Sequence, residues 1–134
     1  MTNKRALMSM VDPTGSGISL LDVSGMSEED AERFVNSIPN DFQGYADHIG
    51  NYAVRRIHNQ DFLKYVLGNK SDIFLRIAAV SGLEDHKLLK QYAETPDEEC
   101  NQQRYIGNER AMNNAFHKST LRHEAIKRLK ELGN

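Results

Sequence analysis

The chain has 134 residues, 27% of them charged and 39% hydrophobic, with a formal net charge of -2. That length supports one domain with an ordinary buried core, and the charge balance excludes a global field drawing the molecule to nucleic acid or an anionic membrane. A single cysteine, Cys100, excludes an internal disulfide, so a reducing, cytoplasmic setting is the expectation.

Residues 1–26 differ from the rest. Lys4 and Arg5 precede an apolar run that is too short and is broken by Asp12 and Pro13, so neither a signal peptide nor a membrane span is expected. Two short apolar runs, 5–11 and 18–23, flank the turn-rich spacer Asp12-Pro13-Thr14-Gly15-Ser16-Gly17. Two readings fit: a small β-hairpin, or an arm that orders on a partner. Met8 and Met10 suit either. Such an arm could add a strand to a partner or mediate a homodimer.

Helices are expected from Ser27 onward. Ser27-Glu28-Glu29-Asp30 resembles a capping box, with three acids where the helix dipole favours them. Phe34, Val35 and Ile38 form the apolar side, and Pro39-Asn40 ends the helix. Asn40 can cap a second helix from Asp41 to about Ile57, weakened by Gly44 and Gly50. Asn59 caps a short helix over 60–67, and Gly68-Asn69 is a stop signal. Ser71 or Asp72 starts a helix running to Ser81, and Asp85 caps one running to about Glu94. Thr95-Pro96 restarts the chain with Thr95 as cap. A polar helix over 97–107, a short one over 108–116 and a last one over 120–132, capped by Ser119 and ended by Gly133, complete the reading. No strand pattern occurs after residue 26.

Three segments share one pattern: Ala53-Val54-Arg55-Arg56-Ile57, Ala79-Val80-Ser81-Gly82-Leu83 and Ala125-Ile126-Lys127-Arg128-Leu129. After Ile57 come Asn59, Phe62, Leu63 and Val66; at the same spacing after Leu83 come Asp85, Leu88, Leu89 and Tyr92. Leu75-Arg76 and Leu121-Arg122 stand before the second and third copies, with Lys70-Ser71 and Lys118-Ser119 further upstream. Self-similarity built on amphipathic helix pairs is the signature of a stacked array. The stretch Leu75 to Leu89 resembles a short HEAT-like repeat, and Leu121 to Leu129 resembles another copy of its second helix. The resemblance covers about residues 51–132, more weakly from 41. It implies an all-α, short HEAT-like stack of antiparallel helix pairs over residues 27–134. It implies little about function, because such repeats serve many partners. The third copy comes 20 residues later than the first interval would place it. That insertion, over 94–113, holds Cys100, Arg104 and Tyr105. Insertions in arrays fall on one face and often bind; an extra polar helix covering the array's end is the other reading.

Catalytic chemistry finds little footing. The five histidines form no His-x-x-x-His pair, and no Cys-x-x-Cys occurs, so no metal site is expected. Glu98 and Glu99 beside Cys100 oppose thiolate formation. The acidic triplets Glu28-Glu29-Asp30 and Asp97-Glu98-Glu99 stand at expected helix starts, where the dipole explains them. Gly15-Ser16-Gly17 lacks the Lys and helix of a phosphate loop. The expectation is a protein that is not an enzyme and takes no cofactor.

Basic positions are the better lead. Arg55-Arg56 and Lys127-Arg128 are equivalent in the pattern, as are Arg76 and Arg122. Residues 118–134 carry five basic side chains against two carboxylates, whereas 27–50 carry one against six. Arg76 and Arg122 are expected to pair within the array, and HEAT-like families often use the equivalent Arg structurally. Arg55, Arg56, Lys127 and Arg128, with Arg104 and Tyr105, are the candidate partner-binding residues. The expected function is a non-enzymatic adaptor or inhibitor that binds a protein. The alternative is a nucleic-acid regulator, since 77–88 also fits a helix-turn-helix core. There Glu84 and Asp85 would open the recognition helix and repel phosphates.

Overall fold

The computed structural model describes residues 25–42 and 49–133. The expected arm or hairpin, apart from Gly25 and Met26, lies outside the described residues, as do Gly44 and Tyr45. Among the described residues every regular element is helical, and no helix is long and apolar enough to cross a membrane. The elements are α1 (Glu28–Ser37), α2 (Ile49–Arg55), α3 (Gln60–Asn69), α4 (Ile73–Gly82), α5 (His86–Ala93), α6 (Asp97–Cys100), a 3-10 turn (Gln102–Tyr105) and α7 (Glu109–Glu131). The chain forms two compact units, Met1–Gly82 and Leu83–Asn134. Their boundary falls inside the stretch that carries the HEAT-like resemblance.

In the first unit α1 packs on α2, α3 on α4, and α2 on α4. Ser27 caps α1, its Oγ accepting from Asp30 N at 3.1 Å. The periodicity places Ala31, Phe34 and Val35 inside, with Ile38 just beyond. The expected second helix does not begin at Asp41, and its described part is α2, Ile49–Arg55. Asn40 and Asp41 form a turn, and Phe42 N bonds Pro39 O. Asn40 contributes its carbonyl, which accepts from Ser71 N at 2.7 Å. Gly50, the second residue of α2, lets α2 approach α4. A Cβ there would lie 2.7 Å from Leu75 Cδ2 and 3.4 Å from Ile38 Cδ1. Asn59 caps α3 by accepting from Asp61 N and Phe62 N. Gly68 does not stop that helix, which continues through Asn69.

In the second unit α7 packs against α5, α6 and the 3-10 turn. Asp85 caps α5, accepting from Leu88 N at 3.1 Å. Thr95 does not cap α6: its Oγ1 donates to Tyr92 O at 2.8 Å, and Pro96 holds the cap position without a side-chain bond. The expected helix over 97–107 is split into α6 and the 3-10 turn, and Gly107, at φ +95°, redirects the chain. The two expected C-terminal helices are one. Asn108 caps α7 through Ala111 N, and Ser119 lies in mid-helix. Lys118, Ser119 and Thr120 contain no breaker, and the Thr120 hydroxyl bonds Phe116 O within the helix at 2.8 Å. Gly133, at φ +89°, ends the helix as expected, with its N–H on Lys130 O.

Candidate functional site

The three pattern alanines, Ala53, Ala79 and Ala125, are all fully buried. The positions after them differ between copies. Val54 and Val80 are buried, but Ile126 is 40% exposed. Ile57 and Leu83 lie just past a helix end, whereas Leu129 lies inside α7.

The equivalent arginines make equivalent bonds. Arg56 Nε donates to Met26 O at 2.8 Å, immediately before the Ser27 cap of α1. Arg128 Nε donates to Leu83 O at 2.8 Å, two residues before the Asp85 cap of α5. Each guanidinium thus holds the chain that leads into a neighbouring helix. In the second copy this position is Gly82, and Gln60 does the bridging. Its Nε2 lies 3.0 Å from His58 O and 3.2 Å from Gly82 O. The other matched pair behaves alike. Arg76 Nε donates to Leu67 O in the last turn of α3 at 3.2 Å. Arg122 Nη1 donates to Thr95 O, just past α5, at 3.1 Å and also pairs with Asp97. Both satisfy carbonyls at helix C-terminal ends, where a cation is favoured.

Arg55 is different. Its Nε donates to Asn51 Oδ1 at 2.9 Å and its Nη1 to Ser81 Oγ at 3.2 Å. Both supports are themselves held: Asn51 Nδ2 donates to Phe74 O at 2.7 Å, and Ser81 Oγ donates to Ala78 O at 2.6 Å. The guanidinium is exposed and both acceptors are neutral. With five N–H donors and two engaged, the group keeps its charge and a donor edge in a fixed pose. Tyr52, 45% exposed, is one turn away on α2. On α4, Phe74 and Ile77 are half-buried, and Ile77 is one turn before Ser81. This pairing of α2 and α4 is the candidate site: a held cation one helical turn from an exposed tyrosine. It can accept a carboxylate with its apolar neighbours.

The remaining expected residues lie in the second unit. Lys127 is exposed on α7, and Arg128 is half-buried with Nη1 also 3.4 Å from Glu131. Arg104 pairs with Glu98 at 3.0 Å, and Tyr105 Oη lies 3.5 Å from Glu98 O. The acidic triplet after Pro96 is consumed in three pairs: Asp97 with Arg122, Glu98 with Arg104, and Glu99 with Lys118 at 2.9 Å. Side-chain pairing, more than the dipole of a four-residue helix, accounts for these acids.

Four roles escaped the sequence reading. Asn51 and Ser81, which hold Arg55, are 30 residues apart in sequence with no motif linking them. Glu28 Oε2 accepts from His58 N and Asn59 N at 2.7 and 2.9 Å, joining α1 to the start of α3. Lys70 is 4% exposed, and its Nζ donates to Ile38 O at 2.6 Å beneath the Tyr65 ring. Burial lowers the Lys70 pKa below 10.5. The one available signal for Lys70 was its place beside Ser71 at a helix junction. Among the described residues no three His, Cys, Asp or Glu side chains gather as a metal site. No family model matches this chain, and neither curated proteins nor solved structures include a match.

Proposed function

We propose that the protein is a non-enzymatic binding module of HEAT-like character that engages an acidic segment of a protein partner through the α2–α4 face. The observation carrying this is Arg55: an exposed guanidinium oriented by two neutral side chains, each fixed by a backbone carbonyl. Pre-organisation lowers the side-chain entropy lost on binding, and a planar fork suits a carboxylate. Tyr52 supplies the aromatic contact that such interfaces favour. The HEAT-like reading is supported by the matched bonds of Arg56 with Arg128 and of Arg76 with Arg122. It is also supported by α1 on α2, α3 on α4, and α2 stacked on α4. Lys127 and the Arg104–Tyr105 turn are secondary candidates on the second unit. Arg56 serves this face by holding the chain that leads into α1, and Arg128 does the same for α5 within the second unit.

The test is affinity capture from the native host, comparing the natural protein with Arg55→Glu and Arg55→Lys and identifying proteins by mass spectrometry. A partner retained by the natural protein, weakened by Lys and lost with Glu supports the reading. A partner set indifferent to Arg55→Glu removes this face. A nucleic-acid role is the alternative from a different class. Steep salt-dependent binding to duplex DNA or RNA by the purified chain would favour it instead. Asp85 weighs against it, because its carboxylate stands at the N-terminus of α5, where a recognition helix would meet phosphates.

A further inference from the structure

The outer face of α7 carries a second pattern unrelated to its core side. Ala115, Leu121 and Ala125 are its buried residues. On another side of the helix stand Met112, Phe116, Ser119, His123, Ile126 and Lys130, spaced four, three, four, three and four residues apart. That alternation is the 3.5-residue repeat of a helix–helix seam. The stripe runs about 27 Å along the helix at 1.5 Å per residue. Phe116 and Ile126 are 45% and 40% exposed, and His123 and Lys130 are also exposed. Two large apolar side chains thus face water on a helix whose other side is already packed.

The stripe is complementary to its own reverse. Its midpoint is Leu121, so reversal about that point matches Phe116 with Ile126, Ser119 with His123, and Met112 with Lys130. A second copy laid antiparallel would bury Phe116 against Ile126 twice. It would run each Lys130 methylene stem along a Met112 and set each Ser119 hydroxyl against a His123. Glu109, exposed and one turn before Met112, would sit near the partner copy's Lys130 at both ends of the seam. A parallel pairing instead opposes Lys130 with Lys130 and His123 with His123. An antiparallel two-fold dimer makes each of these contacts twice, including the Glu109–Lys130 charge pair, because residue i meets j and j meets i.

We propose that α7 is a homodimer seam, with a second copy of this chain packed antiparallel along Met112 to Lys130. The experiment is sedimentation velocity on the full chain over a wide concentration range, with Phe116→Glu and Ile126→Lys as variants. Both residues are exposed, so each variant should keep the helical circular dichroism of the natural protein. The expected result is a concentration-dependent dimer that each variant weakens by roughly tenfold or more, as a charge buried in an apolar seam requires. A natural protein that stays monomeric throughout overturns the proposal. So does a dimer insensitive to both variants, which would lie on another surface. Orientation is read in a Cys100→Ser background by mixing Ser119→Cys chains with His123→Cys chains under oxidation. Mixed disulfides support the antiparallel seam; disulfides confined to like chains overturn it.

Discussion

Arg56 and Arg128 each direct Nε at a carbonyl 30 and 45 residues away, at 2.8 Å in both cases. Removing either guanidinium leaves a partly buried carbonyl without its charged donor, at a cost of about 1–3 kcal/mol. Arg56→Ala and Arg128→Ala are therefore expected to lower the urea midpoint clearly. Arg55→Ala, whose two bonds are exposed and run to neutral side chains, should stay within about 0.5 kcal/mol of the natural protein. The three curves together separate arginines that hold the fold from the one offered to a ligand. Lys70 adds a pH-dependent contribution. Its folded pKa is lowered by burial while its unfolded pKa stays near 10.5, so the unfolded chain binds the proton more tightly. At low pH, with both states protonated, the buried charge opposes folding in full. The opposition fades as pH rises through the lowered folded pKa toward 10.5. Denaturation across alkaline pH should show this gain in the natural protein relative to Lys70→Met, which lacks the titrating group.

At the level of elements, caps and glycines make the sharpest expectations. Asn108 supplies the cap of α7, and Asn108→Ala should cost about 1 kcal/mol. Ser119 lies in mid-helix, so Ser119→Ala should be neutral or stabilise by a few tenths of a kcal/mol, measured by thermal melts. The reverse outcome would restore the two-helix reading of 108–132. Gly50 and Gly68 divide in the same manner. A side chain at Gly50 meets buried Leu75, so Gly50→Leu should cost about 1–3 kcal/mol or more through overpacking. Gly68 has nothing within 4 Å of an added Cβ, so Gly68→Ala should stabilise α3 by up to about 1 kcal/mol through helix propensity. Both values are read from chemical denaturation.

For the whole molecule, apolar burial and arginine-to-carbonyl bonds do the holding. The pairs Arg33–Glu29, Arg104–Glu98 and Lys118–Glu99 are exposed, where ion pairs contribute little and salt screens them. Raising sodium chloride to about 0.5 M should therefore move Tm by only a few degrees, as differential scanning calorimetry would show. Much of the helical layout was legible in the sequence. The caps at Ser27, Asn59 and Asp85 and the terminal Gly133 stand where expected, because a cap is a bond across two or three residues. The α7 reading failed for a related reason: Ser119 has the chemistry of a cap, but nothing local forces a helix to stop there. The site was half legible. Repetition marked Arg55, Arg56, Lys127 and Arg128 together, yet could not tell a held cation from a structural one.

The sequence by itself determined that this is a helical protein. It also determined where most helices begin and which positions repeat, since these depend on hydrogen bonds and periodicity within a few residues. Only the tertiary structure decided how each repeated cation is used. Arg56 meets Met26 O, Arg128 meets Leu83 O, and Arg55 rests on Asn51 and Ser81. Whether a guanidinium is consumed or offered depends on which acceptor the folded chain brings within hydrogen-bond reach. Packing brings those acceptors there from outside the local pattern.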